Sequence, residues 1–163
     1  MVRVLQVLCE RAPDAVAWLK GSAAYPDLEG CISFYDLGME TLVVSSISGL
    51  PETGKAPCNS GFLGFHIHEG GQCSQNAQDP FAEAGAHYSP YVCGHPFHAG
   101  DLPPVLNCNG SAWSAVLTAG FSVAEVTGRT VILHQMEDDF HTQPSGNSGN
   151  KIGCGRIIAQ RTV

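Results

Sequence analysis

The chain has 163 residues with 19 glycines and 10 prolines, turn-rich but far from low complexity, and is long enough to bury a full core. Acidic residues outnumber basic ones 15 to 8, giving a net charge of −7 with no basic run. This balance argues against nucleic acid and anionic membrane as partners, and no apolar stretch is long enough to span a bilayer as a helix.

A single domain over 1–163 is expected from the length. Residues 1–14 (MVRVLQVLCERAPD) hold one early basic residue and a short apolar patch, without a convincing signal-peptide core or a small-residue cleavage site. They read as an N-terminal extension or a first strand, in a protein that is cytoplasmic or the mature form of a secreted or periplasmic one. Four β-rich runs follow, at 15–20 (AVAWLK), 30–35 (GCISFY), 41–47 (TLVVSSI) and 62–68 (FLGFHIH), each bounded by turn residues. No helical period is apparent. Between 69 and 104 the pattern breaks, with prolines at 80, 90, 96, 103 and 104. A loop of that length in a compact domain is usually functional. Strand signals resume at 105–106, pass through the hairpin dipeptide Asn109-Gly110, and continue at 112–117 and 130–134 (TVILH). A second Gly/Ser/Asn-rich loop spans 139–155, and 155–160 (GRIIAQ) reads as the last strand. Eight short strands and two long functional loops predict an all-β fold, a flattened Greek-key barrel or sandwich.

All seven histidines lie between 66 and 141. His66 and His68 stand two apart in a strand, so both imidazoles share one face while Phe65 and Ile67 take the other. Such a pair is half of a site for copper, zinc, iron or nickel. Six of the histidines plus Asp101 supply seven ligands, enough for two metals sharing one. A rival set, Cys93, His95, His98 and Cys108, has spacing suited to one structural zinc. The seven cysteines (9, 31, 58, 73, 93, 108, 154) are odd in number, so at least one is free or paired between chains.

Six pieces stand in order: GFHIHEGGQC at 64–73, GAHYSP at 85–90, HAGDLP at 98–103, GRTVILH at 128–134, EDD at 137–139 and GNSGNKIGCG at 146–155. On them the chain resembles the copper-zinc superoxide dismutase family over about 15–160. The HAGDLP piece and the short link after Cys73 look more like bacterial members. The resemblance implies copper held by His66, His68, His87 and His134, and zinc held by His87, His95, His98 and Asp101. His87 is then the shared bridge. In the family mechanism the bridge releases copper on reduction and takes up a proton. One superoxide leaves as dioxygen and the next as hydrogen peroxide. Asp138 matches the aspartate that links a copper histidine to a zinc histidine, here His66 and His95. Cys73 and Cys154 match the family disulfide, whereas Cys58, Cys93 and Cys108 lie outside the family pattern and leave a second disulfide open. Cys9 and Cys31 read as buried or reactive singles.

The departure from the family pattern is Lys151, where an arginine normally guides the superoxide anion beside the copper. Lysine keeps the charge but loses the planar fork, and is more strongly hydrated. A slower dismutase is expected, with Lys151→Arg raising its rate. Ser145 stands where a channel threonine is common. His141 has no place in the ligand set and reads as a surface residue, and Arg129 as a structural residue pairing with loop carbonyls. Arg156 places a charge where dimeric eukaryotic members meet, which disfavours their dimer and leaves monomer or another dimer open. The alternative function is a metal-binding or copper-handling protein of the same fold with little turnover.

Overall fold

A computed structural model describes residues 2–52, 61–74, 76 and 78–160. Helix α1 (Val2–Glu10) precedes strands β1 (Ala15–Gly21), β2 (Glu29–Asp36), β3 (Thr41–Ser48) and β4 (Phe62–His68). After a long loop come β5 (Asp101–Leu106), β6 (Ser111–Thr118), the single-turn helix α2 (Val123–Val126), β7 (Thr130–His134) and β8 (Lys151–Ala159). The eight strands form one antiparallel sheet in the order β5-β4-β7-β8-β1-β2-β3-β6. The two edges, β5 and β6, are consecutive in the chain and lie against one another, so the sheet curls into a nearly closed barrel.

The barrel fills by strand alternation. Ala15, Ala17 and Leu19 of β1, Ile32 and Phe34 of β2, Phe65 and Ile67 of β4, and Val131 and Leu133 of β7 all enter one buried core. The residues between them on β4 and β7 point outward, yet they are buried too. The loops 69–100 and 135–150 cover that outer face, and a smaller apolar cluster of Phe81, Ala84, Ile132 and Cys154 sits beneath the first loop. His66, His68 and His134 therefore stand on a rigid sheet but under a lid of loop.

Three boundaries differ from the sequence reading. Residues 2–10 are helical rather than extended: Val4, Leu5 and Leu8 fall at helical spacing. Strand β5 begins at Asp101 and passes through Pro103 and Pro104. This is tolerated because β5 is a sheet edge, ladder-bonded only to β4, where a missing N–H can face away from the partner. Strand β8 begins at Lys151, not Gly155, because Gly153 and Gly155 are strand residues at a close approach. A Cβ on Gly153 would meet the Leu28 side chain, and one on Gly155 the backbone of Trp18. The Asn109-Gly110 turn forms as expected, with positive φ at both residues.

Candidate metal centre

Three strands and two loops build the centre. His66 and His68 extend from β4, and His134 from the end of β7, after a bulge in its pairing with β8. His87 is brought beside His68 by an isolated β-bridge within the first loop. His95 and His98 follow in the same loop, and Asp101 opens β5 opposite His66. Among the described residues two groups can hold a metal: His66, His68, His87 and His134, and His87, His95, His98 and Asp101. Within each group the ligand atoms lie within 4.8 Å of one another. These are the two sets implied by the resemblance, and His87 belongs to both.

Hydrogen bonds commit one nitrogen of most rings outward and leave the other facing inward. His66 Nε2 donates to Asp138 Oδ2 at 2.8 Å, and its buried Nδ1 has no partner. His68 Nδ1 donates to the Gly85 carbonyl at 2.8 Å and His134 Nδ1 to the Gly149 carbonyl at 3.3 Å. Their Nε2 atoms then meet as two lone pairs 3.4 Å apart. His87 presents Nδ1 to Asp101 Oδ1 at 2.7 Å, and its Nε2 is buried without a partner. His95 Nε2 donates to Asp138 Oδ1 at 2.8 Å, which leaves its Nδ1 as a lone pair 3.1 Å from Asp101 Oδ2. His98 Nδ1 lies 3.2 Å from the same oxygen. Buried lone pairs aimed at one another and at a carboxylate are unfavourable without a cation between them. The donor set thus fits two metal ions, one among four imidazoles and one among three imidazoles and a carboxylate.

Burial favours the neutral, ligating form of three imidazoles, His66, His68 and His134. It depresses His66 and places His68 well below its ordinary value, with the neighbouring His87 adding to both shifts. Burial also lowers His134, to about 3. For Asp138 burial opposes ionisation but is outweighed by hydrogen bonds from His66, the Phe140 N–H and His95, so the carboxyl is held well below the usual range. Asp101 is lowered in the same way, burial being outweighed by His87 and the His98 N–H.

The chain's similarities agree with this centre. The family described as copper/zinc superoxide dismutase matches residues 28–157. The chain belongs to that family. It is 31% identical to the copper-zinc superoxide dismutase 3 of Arabidopsis thaliana, covering 91% of this chain and 92% of that one. It is 33% identical to the superoxide dismutase-like protein YojM of Bacillus subtilis (strain 168), over 59% of this chain and 55% of the relative. It is 27% identical to the extracellular copper-zinc superoxide dismutase of Rattus norvegicus, over 93% of this chain and 62% of the relative. The chain thus spans little more than half the length of the last two. Copper and zinc are the metals of the family, and the two clusters suit them.

The remaining expectations fall on both sides. Cys73 and Cys154 form a disulfide, with Cα atoms 5.7 Å apart. The rival zinc set is overturned: Cys93 and Cys108 are exposed free thiols outside both clusters, while His95 and His98 belong with His87 and Asp101. Cys58 lies outside the described residues. Cys9 is exposed and Cys31 half-buried, and neither is paired. Arg129 donates to the carbonyls of Glu69 and Glu125, both at 2.9 Å, and lies over the Tyr88 ring. His141 and Arg156 are exposed.

A pocket of about 420 Å³ opens onto the four-imidazole cluster, lined by His68, His87, His134, Ser145 and Lys151 among others. Lys151 lines this pocket, but its ammonium is engaged. Nζ donates to Asp79 Oδ2 at 2.7 Å and to the Phe81 carbonyl at 3.1 Å. Asp79 was not singled out by sequence reasoning, nor was Gln143, whose amide exchanges two hydrogen bonds with the His95 backbone. No short motif marks either, since each acts across a separation of 48 or more residues.

Proposed function

We propose that this chain dismutates superoxide, converting pairs of the anion to dioxygen and hydrogen peroxide. The observation that carries this reading is the position of His87, with one ring nitrogen in each cluster. His66, His68, His87 and His134 hold copper, and His87, His95, His98 and Asp101 hold zinc. Copper supplies a one-electron acceptor and donor when bound, and zinc a fixed positive charge without redox chemistry.

The protein's own groups do the rest. Asp138 holds His66 and His95 by one carboxylate, which fixes both tautomers and aims an Nδ1 lone pair into each cluster. The Gly85 and Gly149 carbonyls do the same for His68 and His134. Dismutation consumes a proton for each superoxide. His87 lines the pocket, and its buried Nε2 has no protein partner, so that nitrogen is the atom at which such a proton is held. The pocket reaches the four-imidazole cluster beneath the loop lid and admits a small anion past Ser145 and Lys151.

One observation favours the second reading, a metal-handling protein with little turnover. The cation that would receive superoxide is already paired with Asp79. The test is the dismutation rate of protein carrying one copper and one zinc per chain. A rate well above that of the metal-free protein, lost in His87→Ala, supports the enzyme. No acceleration with both metals bound moves the assignment to metal handling.

A further inference from the structure

Lys151 and Asp79 are 72 residues apart in the chain and meet at the wall of the pocket above the four-imidazole cluster. The Lys151 side chain is only 15% exposed and that of Asp79 35%. Asp79 is held in place by its own loop. Asn76 Oδ1 accepts from the N–H groups of Gln78 and Asp79, the Asn76 N–H donates to the Asp79 carbonyl, and Asp79 Oδ1 accepts from the Phe81 N–H. A carboxylate presented this firmly is a fixed feature of the pocket rather than a passing surface contact. Apart from this pair, the groups lining the pocket are neutral side chains and imidazoles. The pair therefore leaves the lining without a net cation.

We propose that Asp79 is a specificity-determining residue that neutralises Lys151, so that anion affinity at the pocket is governed by whether this ion pair is closed or open. The proposal deepens the dismutase reading and rests on it for the identity of the natural anion. With the pair closed, a small anion gains little from Lys151. With Asp79 neutral, the ammonium is released to face the pocket, and a monovalent anion gains a Coulomb attraction worth roughly threefold to tenfold in affinity at low salt. Screening removes that gain at high salt.

Azide is the probe for protein loaded with copper and zinc, followed by the visible absorption of copper(II). Asp79→Asn is expected to bind azide roughly threefold to tenfold tighter than wild type at low ionic strength, with the advantage lost in concentrated salt. Lys151→Met on the Asp79→Asn background is expected to abolish the gain. An unchanged azide affinity in Asp79→Asn, or a gain that survives Lys151→Met, overturns the proposal. Inorganic phosphate with metal-free, nitrogen-15-labelled protein tests it without copper. Amide shifts at Ser145 and Lys151 are expected to titrate at roughly threefold to tenfold lower phosphate in Asp79→Asn than in wild type, and equal midpoints in the two overturn it. If Asp79→Asn does not fold, Asp79→Ser removes the same charge and carries the same expected and overturning outcomes. A failed dismutase assay with intact azide and phosphate results would retire the function reading and leave this one standing.

Discussion

Asp138 serves both halves of the centre, because one carboxylate fixes a histidine in each cluster. Both of its oxygens accept, Oδ2 from His66 and Oδ1 from His95 and the Phe140 N–H. An amide in its place keeps one acceptor but turns an NH₂ toward a ring N–H, so one histidine must rotate or change tautomer. Asp138→Asn is therefore expected to weaken metal binding roughly tenfold to a hundredfold, with the protein still folded. Chelator competition for copper and zinc measures this, and wild-type affinity for both metals would remove Asp138 from the role. The residues of both clusters were legible in the sequence through the ordered pieces of the family resemblance, which include His66-x-His68 and His98-x-x-Asp101. Asp79 was not, since nothing local distinguishes a loop aspartate that ends its path against a lysine from one that faces water.

At the scale of elements, the centre depends on a loop held down against β8. Cys73 lies near the loop's start and Cys154 in the middle of β8, paired with Ile132 of β7 and Lys20 of β1. Phe81 and Ala84 pack on Cys154 and Ile132 just beyond, and the same loop presents Asp79 and His87. Replacing both cysteines with serine is expected to cost about 2–5 kcal/mol of folding stability in the metal-free protein, read from urea denaturation. A midpoint unchanged from wild type would mean that the loop is anchored by packing alone. Strand existence was legible from β-branched runs between turn residues, and the face shared by His66 and His68 from alternation. Strand limits were not. Pro103 and Pro104 look like breakers until β5 is known to be an edge, and Gly153 and Gly155 look like loop until their close approach to β1 is seen. The short apolar patch at the N-terminus gave too few residues for its helical period to stand out.

The whole molecule pays for this centre in its response to acid. The metal-free protein buries several neutral imidazoles, and the clearest are His68 and His134, which donate to carbonyls rather than to a carboxylate. Burial holds His68 well below 6.5 and His134 at about 3. The unfolded chain protonates these side chains below about 6.5, while the folded chain does not, so the unfolded state binds more protons. Stability is then fully present above about 6.5 and is lost as pH falls below it, by about 1.4 kcal/mol per pH unit for each histidine still neutral in the folded state, a window that for His134 extends to about 3. Asp101 and Asp138, also lowered, act in the same direction but only in the more acid range, below the ordinary carboxylate value. His66 contributes less, because Asp138 favours its charged form and opposes burial. The thermal midpoint of the metal-free protein is therefore expected to fall steadily between pH 7 and about pH 4, and His134→Gln to make the slope shallower. A flat profile, or one unaltered by His134→Gln, would show that the buried imidazoles take up protons in the folded state without opening the site. Metal should protect against this loss, because an ion among the inward lone pairs competes with protons for the same atoms. Loading with zinc and copper is expected to move the onset of acid destabilisation to lower pH, and an unmoved onset would separate the metal sites from the groups that govern acid stability.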